Sequence, residues 1–213
     1  MDLRRIAEHT VDLDLLPAVP LVLDAGCRGF EFSREILDLR PAGRVIALDP
    51  DPGIESPADS RITFLPIALI SSPLPKVRYF DRGGGGTGNF IEGVRFEDQP
   101  TGARAWMEVP TATIIKLQAC AASLYGCGRR FDLIKLDIEG AEFDVLEHWP
   151  GPVATQLSIE FHDAFDKRFY DNAYFERLFA GPLWDYHVAQ HPYMKEPYPD
   201  WGHWDSLLIL RDK

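Results

Sequence analysis

Apolar positions along this chain fall into short solid runs separated by stripes at helical spacing. Leu21-Val22-Leu23 is a solid run that ends in Asp24, and a turn punctuated by Gly26 and Gly29 follows. Beyond it Phe32, Ile36 and Leu39 recur at helical spacing until Pro41-Ala42-Gly43 ends the helix. Strand, tight turn and helix in this order predict the opening unit of a nucleotide-binding α/β sheet. Arg44 to Leu48 gives another mostly apolar run, closed by Asp49-Pro50, as expected of a buried parallel strand.

The alternation continues with one interruption. Prolines and Gly53 across residues 50–60 leave a second helix short or absent, and Ile62 to Leu65 resumes a strand. Val77 to Phe80 and Trp106 to Val109 predict two short strands around the run Gly83-Gly84-Gly85-Gly86-Thr87-Gly88. No lysine follows those glycines, so a phosphate cradle is excluded and a mobile hairpin tip or lid is expected. Thr113 to Leu124 predicts a helix with Ile114, Leu117 and Ala121 on one face, stopped by Gly126 and Gly128. Phe131 to Leu136 is a strand leading to Asp137, and Phe143, Leu146 and Trp149 mark a helix beyond Gly140. Thr155 to Phe161 is a strand carrying Glu160 and followed at once by His162. Phe165 to Phe179 is helical, and Trp184 to Ala189 with Ser206 to Leu210 form a closing pair of strands. Residues 1–20, with Leu3, Ile6 and Val11, read as an amphipathic lead-in that serves packing. The pattern predicts one domain over residues 1–213 with a small glycine-rich insertion near 71–110.

Bulk properties narrow the partners. A net charge of −11 argues against a nucleic-acid backbone, which attracts Lys/Arg excess. No apolar run approaches the ~18 residues of a membrane span. Acidic residues interrupt the stretch after Arg4 and Arg5, so no signal peptide is expected. Cys27, Cys120 and Cys127 are too few and too scattered for a disulfide framework or zinc cage, which makes the cytoplasm the default location.

The chemistry lies in three places. The first turn spells D-x-G-x-x-G, with Arg28 where a dinucleotide fingerprint needs its middle glycine. Asp24 would repel a pyrophosphate but suits a cofactor bearing an ammonium and a sulfonium, such as S-adenosylmethionine. Asp24, Gly26, Cys27 and Gly29 are therefore candidate cofactor contacts, the glycines supplying unusual dihedrals and room for a ligand. A glycine turn after a first strand also occurs in α/β proteins generally. Asp49, followed by Pro50, stands 20 positions after Gly29, where such folds grip the ribose hydroxyls; a turn aspartate before proline is the plainer alternative. Ala68, in the loop after the third strand, is placed beside the adenine. Asp137 and Glu160 end neighbouring segments, and if their strands pair at ~4.8 Å, then Asp137, Glu160 and His162 converge on one rim.

With the glycine turn, Asp49-Pro50 and Lys135-Leu136-Asp137-Ile138-Glu139-Gly140-Ala141-Glu142 together, the chain resembles the FkbM family of S-adenosylmethionine-dependent methyltransferases. Glu160-Phe161-His162 and Glu108-Val109-Pro110-Thr111 also resemble that family. The likeness covers most of residues 21–163. Three positions depart: Phe30 holds the place of the family's later glycine, Asp49 replaces a glutamate, and Thr113-Ile114-Ile115-Lys116-Leu117 lacks two acids.

The resemblance implies an α/β fold: a Rossmann-like class I methyltransferase sheet, mostly parallel with a reversed C-terminal strand. It implies transfer of a methyl group from S-adenosylmethionine to a hydroxyl of a small molecule or glycan. His162 is the expected base, since an unperturbed pKa of ~6.5 leaves it largely neutral. Asp137 and Glu160 would position the acceptor or orient the imidazole, and Asp137 has the alternative of meeting the methionine ammonium. Glu139 and Glu142 at a helix start are explained equally by capping. No resident metal is expected, although Asp137, Glu160 and His162 could hold magnesium or manganese. A nicotinamide oxidoreductase and a non-catalytic nucleotide-binding module are the competing readings. Trp184, Tyr193, Tyr198, Trp201 and Trp204 could stack on a sugar or simply pack.

Overall fold

The computed structural model describes residues 1–81, 89–91, 105–126, 130–162, 171–190 and 203–211. Two short strands, β1 (Leu3–Ile6) and β2 (His9–Asp12), form a hairpin. Then come β3 (Leu21–Ala25), α1 (Glu31–Leu39), β4 (Arg44–Leu48), β5 (Ile62–Leu65), β6 (Ala68–Leu69), β7 (Lys76–Asp81), β8 (Phe90–Ile91) and β9 (Ala105–Ala112). The last segment comprises α2 (Ile114–Tyr125), β10 (Phe131–Leu136), α3 (Glu142–Glu147), β11 (Ala154–His162), α4 (Asn172–Ala180), β12 (Tyr186–Gln190) and β13 (His203–Leu210).

Seven strands make the main sheet in the order β12-β13-β11-β10-β3-β4-β5. All pairs from β11 to β5 are parallel, and β13 runs antiparallel to both its neighbours. This is the mostly parallel sheet with a reversed C-terminal strand that the resemblance implies. The solid apolar runs form these strands because both faces are covered. Leu21, Leu23 and Ala25 of β3 pack toward the cluster holding Ile114, Leu117, Phe143 and Leu178, whereas Val22 joins Ile36 and Leu37 of α1. Strand order reverses around β3, which places a crevice outside the carboxyl ends of β3, β4 and β10.

The helix over 113–124 lies close to where periodicity puts it. Thr113 caps α2 by accepting from Lys116 N, Gly126 ends it in the left-handed region, and Ile114, Leu117 and Ala121 are its buried face. The two strands expected around the glycine run correspond to β7 and β9, with β8 intervening after the run; β7 and β9 pair antiparallel and, with β6 and β8, form a second sheet of order β6-β9-β7-β8. The glycine run itself, from Gly83 to Gly88, lies outside the described residues. So do Phe165, Tyr193, Tyr198 and Trp201. Trp184 is exposed. Among the described residues no helix is long and apolar enough to cross a membrane.

The lead-in is where expectation and structure part. Residues 3–12 are a hairpin whose tip, Ala7 and Glu8, takes two consecutive positive φ values, as tight hairpin turns demand. β2 is buried at every position because it covers the polar face of β11. Asp12 N donates to Gln156 Oε1 at 2.9 Å and Gln156 Nε2 donates back to Asp12 O at 3.0 Å, all buried. The hairpin is thus more than packing, for it carries His9 to the carboxyl end of the sheet.

Candidate active site

A cavity of about 520 Å³ opens at the crevice, floored by the ends of β3, β4, β10 and β11. Gly26, Cys27, Asp49, Pro50, Ala68 and Asp137 line it, as do Glu160 and His162. Tyr79, Phe90 and Ile91 of the second sheet line it too, with Asn89 just before β8. Asp24 and Gly29, the other two expected cofactor contacts, are not on its wall.

Asp24 is fully buried. Its Oδ2 accepts from Ser33 Oγ at 2.6 Å, and its Oδ1 lies 3.3 Å from Lys135 Nζ. A carboxylate so enclosed has its charge matched inside the protein, and the ammonium it meets is Lys135's. Sequence reasoning gave Lys135 no role. Yet it lies 3.2 Å from Asp137 Oδ2 and donates to Gly26 O at 2.7 Å, tying β10 to β3 and to the turn. Burial opposes the Lys135 charge, but Asp24 and Asp137 outweigh it and raise the pKa above the usual lysine value.

Of the two turn glycines, Gly26 takes the unusual dihedral expected of it and Gly29 does not. Gly26 has φ +83°, and a Cβ there would stand 1.7 Å from the Asp137 carbonyl oxygen. Its smallness serves the docking of the turn against β10 before any ligand arrives. Gly26→Ala is expected to lower stability by ~2 kcal/mol through strain and overlap, read as a shift in the urea midpoint. Gly29 does not adopt a positive φ; Phe30 does, at 63°. The residue standing where the related family has glycine thus takes the left-handed backbone, at a cost of ~1–2 kcal/mol. Burial of the ring and its edge-on contact with Phe64, centroids 5.3 Å apart, offset that cost.

Asp49 directly follows β4 with both oxygens engaged by backbone: Oδ2 accepts from Arg28 N at 3.1 Å and Oδ1 from Asp51 N at 2.9 Å. These bonds fix the carboxylate at the cavity edge and leave it lone pairs for a diol. Burial raises its pKa, and the two backbone donors only partly offset that. Cys27 is buried beside it, its thiol pushed far up by burial and by Asp24 and Asp49, so it stays protonated.

At the far wall β10 and β11 pair in parallel and bring Asp137, Glu160 and His162 together. His162 Nε2 lies 3.6 Å from Asp137 Oδ1, 3.5 Å from Glu139 Oε2 and 3.9 Å from Glu160 Oε1. Its Nδ1 makes a short contact with Glu142 Oε1. The residue orienting the imidazole is therefore Glu142, a fully buried side chain, rather than Asp137 or Glu160. The acids around His162 also favour its charged form. Burial works against its charge, but Glu142, Glu139 and Asp137 prevail and push its pKa up to about 10. Burial alone would raise the Asp137 carboxyl; Lys135, with His9 and His162, instead holds it well below the usual carboxylate range.

The model of the methyltransferase FkbM domain matches residues 27–208. The chain belongs to the FkbM methyltransferase family. Its cofactor is S-adenosylmethionine, which sets aside the nicotinamide alternative. Among solved structures the chain is similar to methyltransferase FkbM from Methylobacillus flagellatus KT, at 14% identity and TM-score 0.50. That match covers 92% of this chain and 45% of the other, so this chain spans less than half the relative's length. It is similar at 10% identity and TM-score 0.49 to a Methanococcus jannaschii fibrillarin pre-rRNA processing protein, over 95% and 71% of the two chains. A third similar structure is the plantazolicin methyltransferase BpumL in complex with SAH, at 12% identity and TM-score 0.41, over 91% and 76%. No curated protein sequence matches the chain.

The donor set suits this cofactor. Asp49 is a fixed carboxylate at one end of the cavity, and Asp137, Glu139 and Glu160 add acids to the other wall, donors of the kind that a diol, an ammonium and a sulfonium prefer.

Proposed function

We propose that this FkbM-family enzyme methylates a hydroxyl of a small molecule or glycan at the wall formed by Asp137, Glu160 and His162. The observation that carries this reading is the convergence of those three side chains on the cavity that also holds Asp49 and the Gly26 turn. S-adenosylmethionine, when bound, supplies an electrophilic methyl group on sulfur. Displacement is in line, so the protein's work is alignment and removal of the hydroxyl proton. Asp49, Pro50 and Ala68 bind the adenosine portion, and Asp137, held ionised, faces the positive end. His162, kept protonated by Glu142, donates a hydrogen bond to the acceptor oxygen, while Glu160 receives the proton. The net charge of −11 supports a neutral or cationic acceptor over RNA or DNA.

The test is incubation of the purified protein with S-adenosylmethionine and a panel of saccharides and hydroxylated small molecules. Release of the demethylated cofactor together with a methyl ether product is the expected result. Methylation confined to amines or nucleic acid, or cofactor binding without turnover on any hydroxyl, would overturn it. On the acceptor so found, Glu142→Gln is expected to lower kcat ~10–100-fold with KM little changed, because it removes the charge that positions His162.

A further inference from the structure

Three electron-pair donors meet where the N-terminal hairpin touches the cavity wall. His9 is 1% exposed, and its Nε2 makes no hydrogen bond among the described residues. That nitrogen lies 3.7 Å from Asp137 Oδ2 and 3.7 Å from Glu160 Oε2, and the three ligand atoms lie within 4.8 Å of one another. The other oxygens of both carboxylates, Asp137 Oδ1 and Glu160 Oε1, are those nearest His162. Each acid therefore spans the two histidines.

The rest of the hydrogen-bond chain favours one His9 tautomer. Nδ1 lies 3.3 Å from Ser158 Oγ, and that hydroxyl donates onward to Asp205 Oδ1 at 3.4 Å. With its proton committed to Asp205, Ser158 Oγ accepts from Nδ1–H. Asp205 is itself anchored by Thr10 N at 3.0 Å. In the tautomer with the proton on Nδ1, the Nε2 lone pair faces two carboxylate oxygens, and a cation between the three atoms would satisfy all of them. The same outer pattern, Nδ1–H passed to a hydroxyl and a carboxylate, orients metal-binding histidines in general.

We propose that His9 Nε2, Asp137 Oδ2 and Glu160 Oε2 bind a divalent cation of the manganese–magnesium class. A cation ~2.1 Å from each donor spaces adjacent ligands by ~3.0 Å and opposite ones by ~4.2 Å, and the observed 3.7 Å separations fall between. Two carboxylates with one imidazole suit manganese better than calcium. Asp137 and Glu160 line the cavity, so the remaining coordination positions open toward an acceptor hydroxyl. That last point rests on the transferase reading, whereas the cation site does not.

The test is a titration of Mn²⁺ alone into the purified protein, followed by loss of the free aqua-ion signal in electron paramagnetic resonance. One bound Mn²⁺ per chain is expected, with nitrogen coupling from a coordinated imidazole in pulsed spectra of the unaltered protein. His9→Gln and Glu160→Gln should each weaken binding at least ~10-fold, and Ser158→Ala should weaken it by about 10-fold through the outer shell. No uptake, uptake without nitrogen coupling, or equal uptake by His9→Gln overturns the site. The nitrogen coupling needs no variant, so a misfolded His9→Gln does not blunt the test. Calorimetry with S-adenosylmethionine, run in parallel, separates the two readings: cofactor binding without Mn²⁺ uptake removes the cation site alone. Mn²⁺ uptake without cofactor binding upholds that site while removing the transferase reading.

Discussion

Lys135→Met is expected to destabilise the protein by ~3–5 kcal/mol, the cost of leaving a buried charge without its partner. Lys135 is 4% exposed, and among the described residues three oxygens surround its ammonium: Asp24 Oδ1, Asp137 Oδ2 and Gly26 O. That number matches its three N–H donors. Asp137 retains histidine neighbours and some solvent when the lysine is gone, but fully buried Asp24 keeps, among the described residues, the Ser33 hydroxyl alone. Most of the penalty therefore belongs to Asp24, which gives the prediction a second arm. Asp24→Asn placed on top of Lys135→Met should recover much of the lost stability, since the orphaned charge disappears. Urea unfolding of the four proteins in the cycle checks this. A single variant within ~1 kcal/mol of the parent, or a double variant no better than Lys135→Met, would show that the pair is not what holds the turn.

Lys135 also illustrates what the sequence could reveal. The strands were legible because parallel sheet buries both faces, and a run such as Leu21-Val22-Leu23 has few alternatives. The helix over 113–124 was legible because Thr113 and Gly126 mark its ends chemically. The rim of Asp137, Glu160 and His162 followed from strand order alone. A lysine inside an apolar run is a weaker signal, since nothing local says whether a strand lysine faces solvent or a buried acid. Asp24 carried the same ambiguity, and the two resolve only when β3 and β10 are known to pair, with Lys135 opposite Asp24. His9 was missed for a related reason. The alternation Gln156, Ser158, Glu160 on β11 indicates a polar face on a strand the sheet encloses, and such a face demands a polar cover. The segment His9-Thr10-Val11-Asp12 meets that demand, but its distance of 144 residues or more hides the match. The upward push on the His162 pKa was likewise out of reach, because it depends on Glu142 and Glu139 arriving from the helix after β10 and its turn.

The second large effect concerns the cofactor. Asp49→Ala is expected to weaken S-adenosylmethionine binding by ~2–3 kcal/mol, about 30–150-fold, which is one charge-assisted interaction lost. The carboxylate is held in place by Arg28 N and Asp51 N, so little ordering cost arises when a diol binds to it. Alanine removes the acceptor and also frees those two donors, so the melting temperature must be measured beside the affinity. Asp49→Glu separates the effects: it keeps the charge, adds one methylene, and restores the residue type usual at this place in the family. Its affinity should stay within ~10-fold of the parent. The pH dependence has a definite sign. Burial raises the Asp49 pKa, so as pH falls the carboxylate protonates earlier than an ordinary one at ~3.9. Affinity is therefore full at neutral pH and declines toward acid, beginning above the range where exposed aspartates titrate; Asp49→Ala should flatten that decline. Calorimetric titrations of the parent and both variants at several pH values provide the measurement. An alanine variant with unchanged affinity would place the ribose elsewhere on the rim.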